Sequence, residues 1–362
     1  MLVDGAILDA DGPRRAYVRF RDGKVVEVGQ RGTDSRRGRE RTIRGIVIPS
    51  PVNGHTHLGD AVSVIEPPAG GVETLVAPPH GYKFRVLAGT PDRPKVAAMR
   101  QALERMVREG VAAVVDFREE GVAGVALLRR ALAGVPVRGV VLGRPLRRPL
   151  DVQELEAVLR VADGIGLSSG RDEEEATRRT VARACRRAGK RFGLHASEAV
   201  REPTENYLDP TPDLLVHLAR ATPDDLSAVA RAGVRVAVCP RSNALFGRQP
   251  DLAAMERLGV RVLLGTDNAM FHAPSVWAEL QFAYASSRLV GRPASAEFLA
   301  RAALVEPWRW LGTPDAARIG PGTGARPIVL RLPPEDPAYQ VTTRTTAQVI
   351  LRPGSGRRRG RP

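Results

Sequence analysis

The chain has 362 residues, 43% hydrophobic and 26% charged, with 55 Lys and Arg against 40 Asp and Glu and a formal net charge of +15. This length accommodates one large core plus a smaller module, and the composition is that of a globular protein rather than a disordered or fibrous one. No apolar run approaches the ~18 residues of a membrane helix, and Met1-Leu2-Val3-Asp4 lacks the basic-then-apolar pattern of a secretory signal.

The two cysteines, Cys185 and Cys239, are far apart and form no disulfide or zinc framework. A cytoplasmic location and a small-molecule partner are therefore expected, with no membrane association. The positive charge is almost all arginine, since lysine occurs only at Lys24, Lys83, Lys95 and Lys190. Those arginines run along helical segments interleaved with acids, which favours compositional bias over a nucleic-acid surface. The run Arg357-Arg358-Arg359-Gly360-Arg361 is expected to be a solvated, disordered tail.

In chain order, residues 1–45 alternate short apolar stretches with turns. Ala16 to Phe20 and Val25 to Val28 flank Asp22-Gly23, a hairpin signal. From 46 onward, strand candidates recur at 46–52, 112–117, 136–142, 164–168, 191–195, 214–218, 234–239 and 260–266. Amphipathic segments lie between most of them, such as Val96 to Glu109, Asp151 to Val161, Glu173 to Ala188 and Pro223 to Ala232. Asp151 and Thr222 read as N-caps, and Gly110, Gly189 and Gly259 sit just past helix ends. From about 320 the pattern is β-rich again, at 327–332 and 347–351.

Strand and helix alternating eight times over roughly 250 residues predict a (β/α)8 TIM-type barrel. The predicted organisation is a composite β-sandwich from 1–45 and 320–352, a barrel over 46–319, and a tail over 353–362. An open doubly wound sheet is the alternative, but no Gly-rich phosphate loop follows the first strand.

Chemistry-bearing residues gather where strands end. His55 and His57 are two apart at a strand end, so their side chains share a face and can grip one ion. His195, His217 and Asp267 also stand at or near the ends of predicted strands. In a barrel all five fall on the C-terminal rim, where barrel enzymes build their sites. Neutral imidazoles and a carboxylate suit one divalent metal ion, Zn²⁺ first and Fe²⁺ as a competitor.

This pattern resembles the amidohydrolase superfamily over nearly the whole chain. His195-Ala196-Ser197-Glu198 is similar to the H-x-x-E of its mononuclear aminohydrolases, the branch of cytosine, guanine and adenosine-type deaminases. Cys239-Pro240-Arg241-Ser242-Asn243 and Gly265-Thr266-Asp267 resemble the C-P-x-S-N and G-T-D segments of the deaminase and chlorohydrolase branch. Two departures are visible: Pro51-Val52-Asn53-Gly54 in place of the common P-G-F form, and Arg326-Pro327 in place of Ala-Asp. No Lys or Glu ends the strand at 164–168, so a bridging ligand for a second metal is missing.

The resemblance implies His55, His57, His195 and Asp267 as ligands, His217 facing the activated water or developing oxyanion, and Asp267 also accepting from that water. Glu198 is expected to shuttle protons from water to a ring nitrogen and then to the leaving amine. His80, Arg118, Glu119, Ser242 and Asn243 are candidates for reading the substrate, with Lys83 and His272 as further rim residues. The long Gly- and Pro-rich stretch 62–95 is expected to act as a lid. The expected reaction is hydrolytic deamination of an amino-substituted heterocycle, such as a nucleobase, nucleoside or pterin. Ring opening of a cyclic amide and chlorohydrolase-type displacement are the nearer alternatives, and a non-catalytic scaffold the remote one. A homodimer is implied by the resemblance alone.

Overall fold

The computed structural model describes residues 1–30, 40–66, 71–78, 80–289 and 293–353. The arginine-rich tail and Pro67 to Gly70 of the expected lid lie outside these residues.

Four strands come first: β1 (Leu2–Asp9), β2 (Gly12–Arg21), β3 (Lys24–Gly29) and β4 (Thr42–Pro49). Then follow β5 (Val52–His57), β6 (Ala113–Arg118), β7 (Arg138–Gly143), β8 (Gly164–Ser169) and β9 (Arg191–Ala196). After these come β10 (Leu214–His217), β11 (Arg235–Val238), β12 (Arg261–Leu264) and β13 (Asp267–Asn268). The last two are β14 (Pro327–Leu330) and β15 (Ile350–Leu351).

They form two sheets. The smaller has six strands in the order β15-β14-β4-β1-β2-β3, joining both ends of the chain as expected. It takes β4, which pairs in parallel with β1 and antiparallel with β14, so the apolar run Ile46-Val47-Ile48 belongs here and not to the first strand of the larger sheet. The boundary expected after residue 45 thus moves past Pro49. Pro49-Ser50-Pro51 marks the break: proline has no N–H for a ladder bond, and Ser50 turns away to donate from N and Oγ to Arg326 O. This module is a single six-stranded sheet, with the helix Pro337–Arg344 lying between its two C-terminal strands in sequence.

The larger sheet has nine parallel strands, in the order β12-β11-β10-β9-β8-β7-β6-β5-β13. Its edges, β12 and β13, are separated in the chain only by Gly265-Thr266, so the sheet must curl. Gly265 N donates to Val238 O of β11, and Thr266 N donates to His55 O of β5. Side-chain bonds tie the same seam: Asn53 Nδ2 donates to Thr266 Oγ1 at 2.8 Å, and Thr266 N donates to Asn53 Oδ1 at 3.1 Å. Only glycine fits there, because a Cβ on Gly265 would stand 2.7 Å from His55 Cβ.

Helices alternate with the strands. Asp151 caps Val152–Val161 by accepting from Gln153 N and Glu154 N, and Thr222 with Asp225 forms a capping box on Pro223–Ala232. Strands β5 and β6 are buried along their whole length, as expected of parallel strands covered on both faces. Phe117 fills the space beneath the rim, where a Cβ at Gly166 or Gly193 would meet its ring at 2.4 or 2.6 Å. Among the described residues, no helix is long and apolar enough to cross a membrane.

Candidate metal centre and active site

The alternation of β5 puts His55 and His57 on one face, and the C-terminal ends of the neighbouring strands bring the other donors to them. His55 Nε2 stands 3.3 Å from Asp267 Oδ1, His57 Nε2 stands 3.6 Å from the same oxygen, and His57 Nε2 lies 3.4 Å from His195 Nε2. Two donors each about 2.05 Å from a tetrahedral ion are about 3.3 Å apart, so these spacings match ligands converging on one centre. The ring of Phe117 closes the site from below, edge-on to His55 at 4.6 Å and to His195 at 5.0 Å between centroids.

Tautomers can be read from the outer ring nitrogens. His195 Nδ1 is 2.9 Å from Leu167 O, which can only accept, so the proton is on Nδ1 and Nε2 carries a lone pair. His57 Nδ1 is 2.8 Å from Glu119 Oε1, and the negative charge of that carboxylate favours the same tautomer. Two lone pairs therefore face each other across 3.4 Å with a carboxylate oxygen beside them. That arrangement is repulsive without a cation and suits a divalent ion. The buried ring nitrogens of His55 make no hydrogen bond among the described residues, which also fits a ligand role.

Electrostatics keep the donors in ligating form. Burial holds His55 below its usual value, His195 well below, and His57 at about 3, so the imidazoles are neutral. Burial alone would raise Asp267, but its contact with His55 and the neighbouring His217 and His57 rings hold it well below the usual carboxylate range. Ser242 Oγ donates to the other oxygen, Oδ2, at 2.5 Å, turning Oδ1 toward the histidines.

His217 differs from the other three. Asn243 Nδ2 lies 3.2 Å from its Nδ1 and donates to it, leaving the proton on Nε2. That N–H faces Glu198 Oε2 at 3.6 Å. Burial, with Asp267 adding to it, raises the Glu198 carboxyl above its ordinary value, against the opposing influence of His217. Glu198 is aimed by its loop: Glu202 accepts from Ser197 N at 2.8 Å and from Arg171 N at 2.8 Å. Ser197, His217 and Asp267 all have positive φ, at 47°, 77° and 58°. Such non-glycine conformations cost energy that packing must supply, and they gather at functional sites.

A cavity with about 740 Å³ of empty space, partly open to solvent, is lined by His57, His195, His217, Glu198 and Asp267 together with Ser242 and Lys83. The remaining sequence candidates lie elsewhere. His80 is exposed and outside the lining, and Asn243 is buried behind His217. His272 sits 3.2 Å from Thr266 O. Arg118 and Glu119 do not reach the cavity lining, because charge pairing holds them beneath it. Arg118 Nη2 donates to Glu119 Oε2 at 2.5 Å, while Lys83 Nζ donates to Glu119 Oε1 at 2.6 Å and to Asp60 Oδ2 at 3.3 Å.

Sequence reasoning passed over several supports. Asp116 Oδ2 accepts from Leu58 N at 2.7 Å and Thr56 Oγ1 at 2.9 Å, fixing the turn after His57, and Asn53, Asp60 and Glu202 act as described above. The available signal was Asp116-Phe117-Arg118-Glu119, polar groups ending a strand otherwise apolar.

No family model matches the chain. It is 34% identical over 293 residues, 75% of each chain, to the protein named "Putative aminohydrolase" from Methanothermobacter thermautotrophicus. Among solved structures, it matches an adenosine deaminase from Xanthomonas campestris with bound zinc at a TM-score of 0.77 and 17% identity, covering 98% of this chain and 91% of that one. It also matches guanine deaminase from C. acetobutylicum at a TM-score of 0.72 and 15% identity, covering 97% of both chains. At 34% identity over three quarters of both chains, this relationship shows that the chain belongs to the amidohydrolase superfamily, among its aminohydrolases.

Proposed function

We propose that this protein catalyses hydrolytic deamination of an amino-substituted heterocycle, of the nucleobase, nucleoside or pterin class, using one divalent metal. The observation that carries the reading is the pair of lone pairs on His57 and His195 beside Asp267, with the Glu198 carboxyl in the same cavity. His55, His57, His195 and Asp267 would hold the ion, Zn²⁺ ahead of Fe²⁺ given this donor set. When bound, the ion supplies Lewis acidity and lowers the pKa of a water.

The protein's own groups then divide the remaining work. Glu198 takes a proton from water at its carboxylate and delivers it to the ring nitrogen and afterwards to the departing amine. A raised carboxyl suits that exchange, since it binds and releases a proton closer to neutrality. His217 donates from Nε2 toward the oxygen that gains charge, and Asn243 keeps that proton on Nε2. Ser242 orients Asp267 rather than reaching for substrate.

We read β12 and β13 as one strand broken at Gly265, which makes eight strands closing as a (β/α)8 barrel over the composite terminal sheet. The test is ammonia release from a panel of aminopurines, aminopyrimidines, their nucleosides and pterins, with zinc- and iron-loaded protein and a Glu198→Gln control. Release abolished by that substitution supports the reading. Silence across the panel from protein holding one metal per chain refutes it and favours ring opening.

A further inference from the structure

The cavity lined by the proposed metal ligands also holds a cation that, among the described residues, has no counterion. Arg144, just past β7, is 7% exposed and lines the cavity. Its Nε donates to Gly166 O at 3.4 Å, which orients the guanidinium and leaves its two terminal nitrogens as a fork. Among the described residues it forms no ion pair.

The carboxylates whose charge reaches it are Glu119, Glu173 and Asp172. Each is already engaged: Glu119 with Lys83 and Arg118, Glu173 with Arg148 at 2.6 Å, and Asp172 facing Arg171 at 3.9 Å. A buried guanidinium is costly unless an anion and hydrogen bonds compensate it. Among the described residues its side chain meets one backbone carbonyl, which leaves room for an anion that comes with a ligand.

Position narrows what that ligand is. Arg144, His195 and Glu198 line the same cavity, so an anion on the fork and a reacting carbon beside Glu198 can belong to one bound molecule. Phe246 and Phe271 line the same cavity, with ring centroids 6.0 Å apart, and offer faces for a flat heterocycle.

We propose that Arg144 determines specificity by gripping an anionic substituent, carboxylate or phosphate, so that the accepted aminoheterocycle carries negative charge away from its amino group. This rests on the deaminase reading above and adds a substrate class to it. The guanidinium fork matches either anion bidentately, and such charge-assisted bonds are the strong ones.

The test compares a matched set: adenosine, adenosine 5′-carboxylate and adenosine 5′-monophosphate. Ammonia release and calorimetric binding are both measured on zinc-loaded wild type, Arg144→Gln and Arg144→Lys, each checked for metal content and melting temperature. Wild type should favour at least one anionic member over adenosine, and that preference should fall about 10- to 100-fold in Arg144→Gln, through KM. Arg144→Lys, which keeps the charge without the fork, should fall between. Whichever of carboxylate and phosphate gains identifies the anion.

If no member releases ammonia, the deaminase reading fails for this class and calorimetry still decides the anion site. Anionic ligands binding more weakly to Arg144→Gln than to wild type would support it. Equal losses for neutral and anionic members, or no preference for either anion in wild type by both measurements, would overturn it.

Discussion

Replacing Glu119 by Gln should weaken metal binding without touching a ligand. Glu119 Oε1 lies 2.8 Å from His57 Nδ1, and the carboxylate is ionised because Lys83, His57 and Arg118 together outweigh the burial that would raise it. Its charge therefore favours the proton on His57 Nδ1, leaves the Nε2 lone pair toward the metal position and makes the imidazole a stronger donor. Glutamine keeps the volume but loses the charge, and its single carbonyl oxygen must choose among His57, Lys83 and Arg118.

Loss of such a partner lowers metal affinity about 10- to 100-fold, or about 1.4 to 2.7 kcal/mol at 1.36 kcal/mol per decade. Competition with a chromophoric chelator would give the Zn²⁺ dissociation constants. The Co²⁺ absorption spectrum would report the change in donor geometry. Circular dichroism and melting temperature confirm the fold. An unchanged dissociation constant in folded Glu119→Gln protein would refute the claim that Glu119 supports His57 as a ligand.

Glu198→Gln should leave zinc affinity close to wild type while turnover falls by about 10²- to 10⁴-fold, the range of general acid–base catalysis; equal loss of both would reassign Glu198 to the metal. Because its carboxyl is raised above the ordinary 4.5 and must be ionised to accept a proton, kcat/KM in wild type should decline on the acid side at a pH above that value. Gly265→Ala places a Cβ 2.7 Å from His55 Cβ at a seam locked by backbone bonds, costing about 1–3 kcal/mol. Its melting temperature should no longer rise with added zinc.

Asp225 accepts from both Arg201 Nε and Nη2, at 2.8 and 2.7 Å, and caps its helix, and these contacts hold its carboxyl below 3.8. A depressed acid stabilises above its unfolded value and loses that contribution as pH falls through the folded one. Asp225→Asn should therefore cost about 1 kcal/mol at neutral pH, a figure kept small because the Arg201 side chain is 54% exposed. The difference from wild type should close in acid, as urea melts at neutral and acid pH would show.

The sequence by itself determined what depends on local periodicity and chemistry. Spacing of two on a strand puts His55 and His57 on one face whatever surrounds them, and a short polar residue before a helical run caps it, as Asp151 and Thr222 do. The alternation of apolar strands with amphipathic helices likewise determined the parallel sheet, because each parallel pairing needs a crossover. The apolar stretch before His55 was ambiguous. Hydrophobicity cannot say which sheet a strand joins, although Pro49 and Pro51 mark where one ends and the next begins.

Only tertiary structure decided the partners. Arg118 and Glu119 read from sequence as rim residues, yet Lys83 and Asp60, brought from a distant segment, pair them beneath His57. Asn243 and Ser242 are adjacent in the chain but serve different groups, His217 and Asp267. That Arg144 has no ion pair among the described residues is likewise visible only once the nearby carboxylates have been assigned. Pairing energy falls off within a few ångströms, and residues far apart in sequence acquire such separations only when the fold sets them.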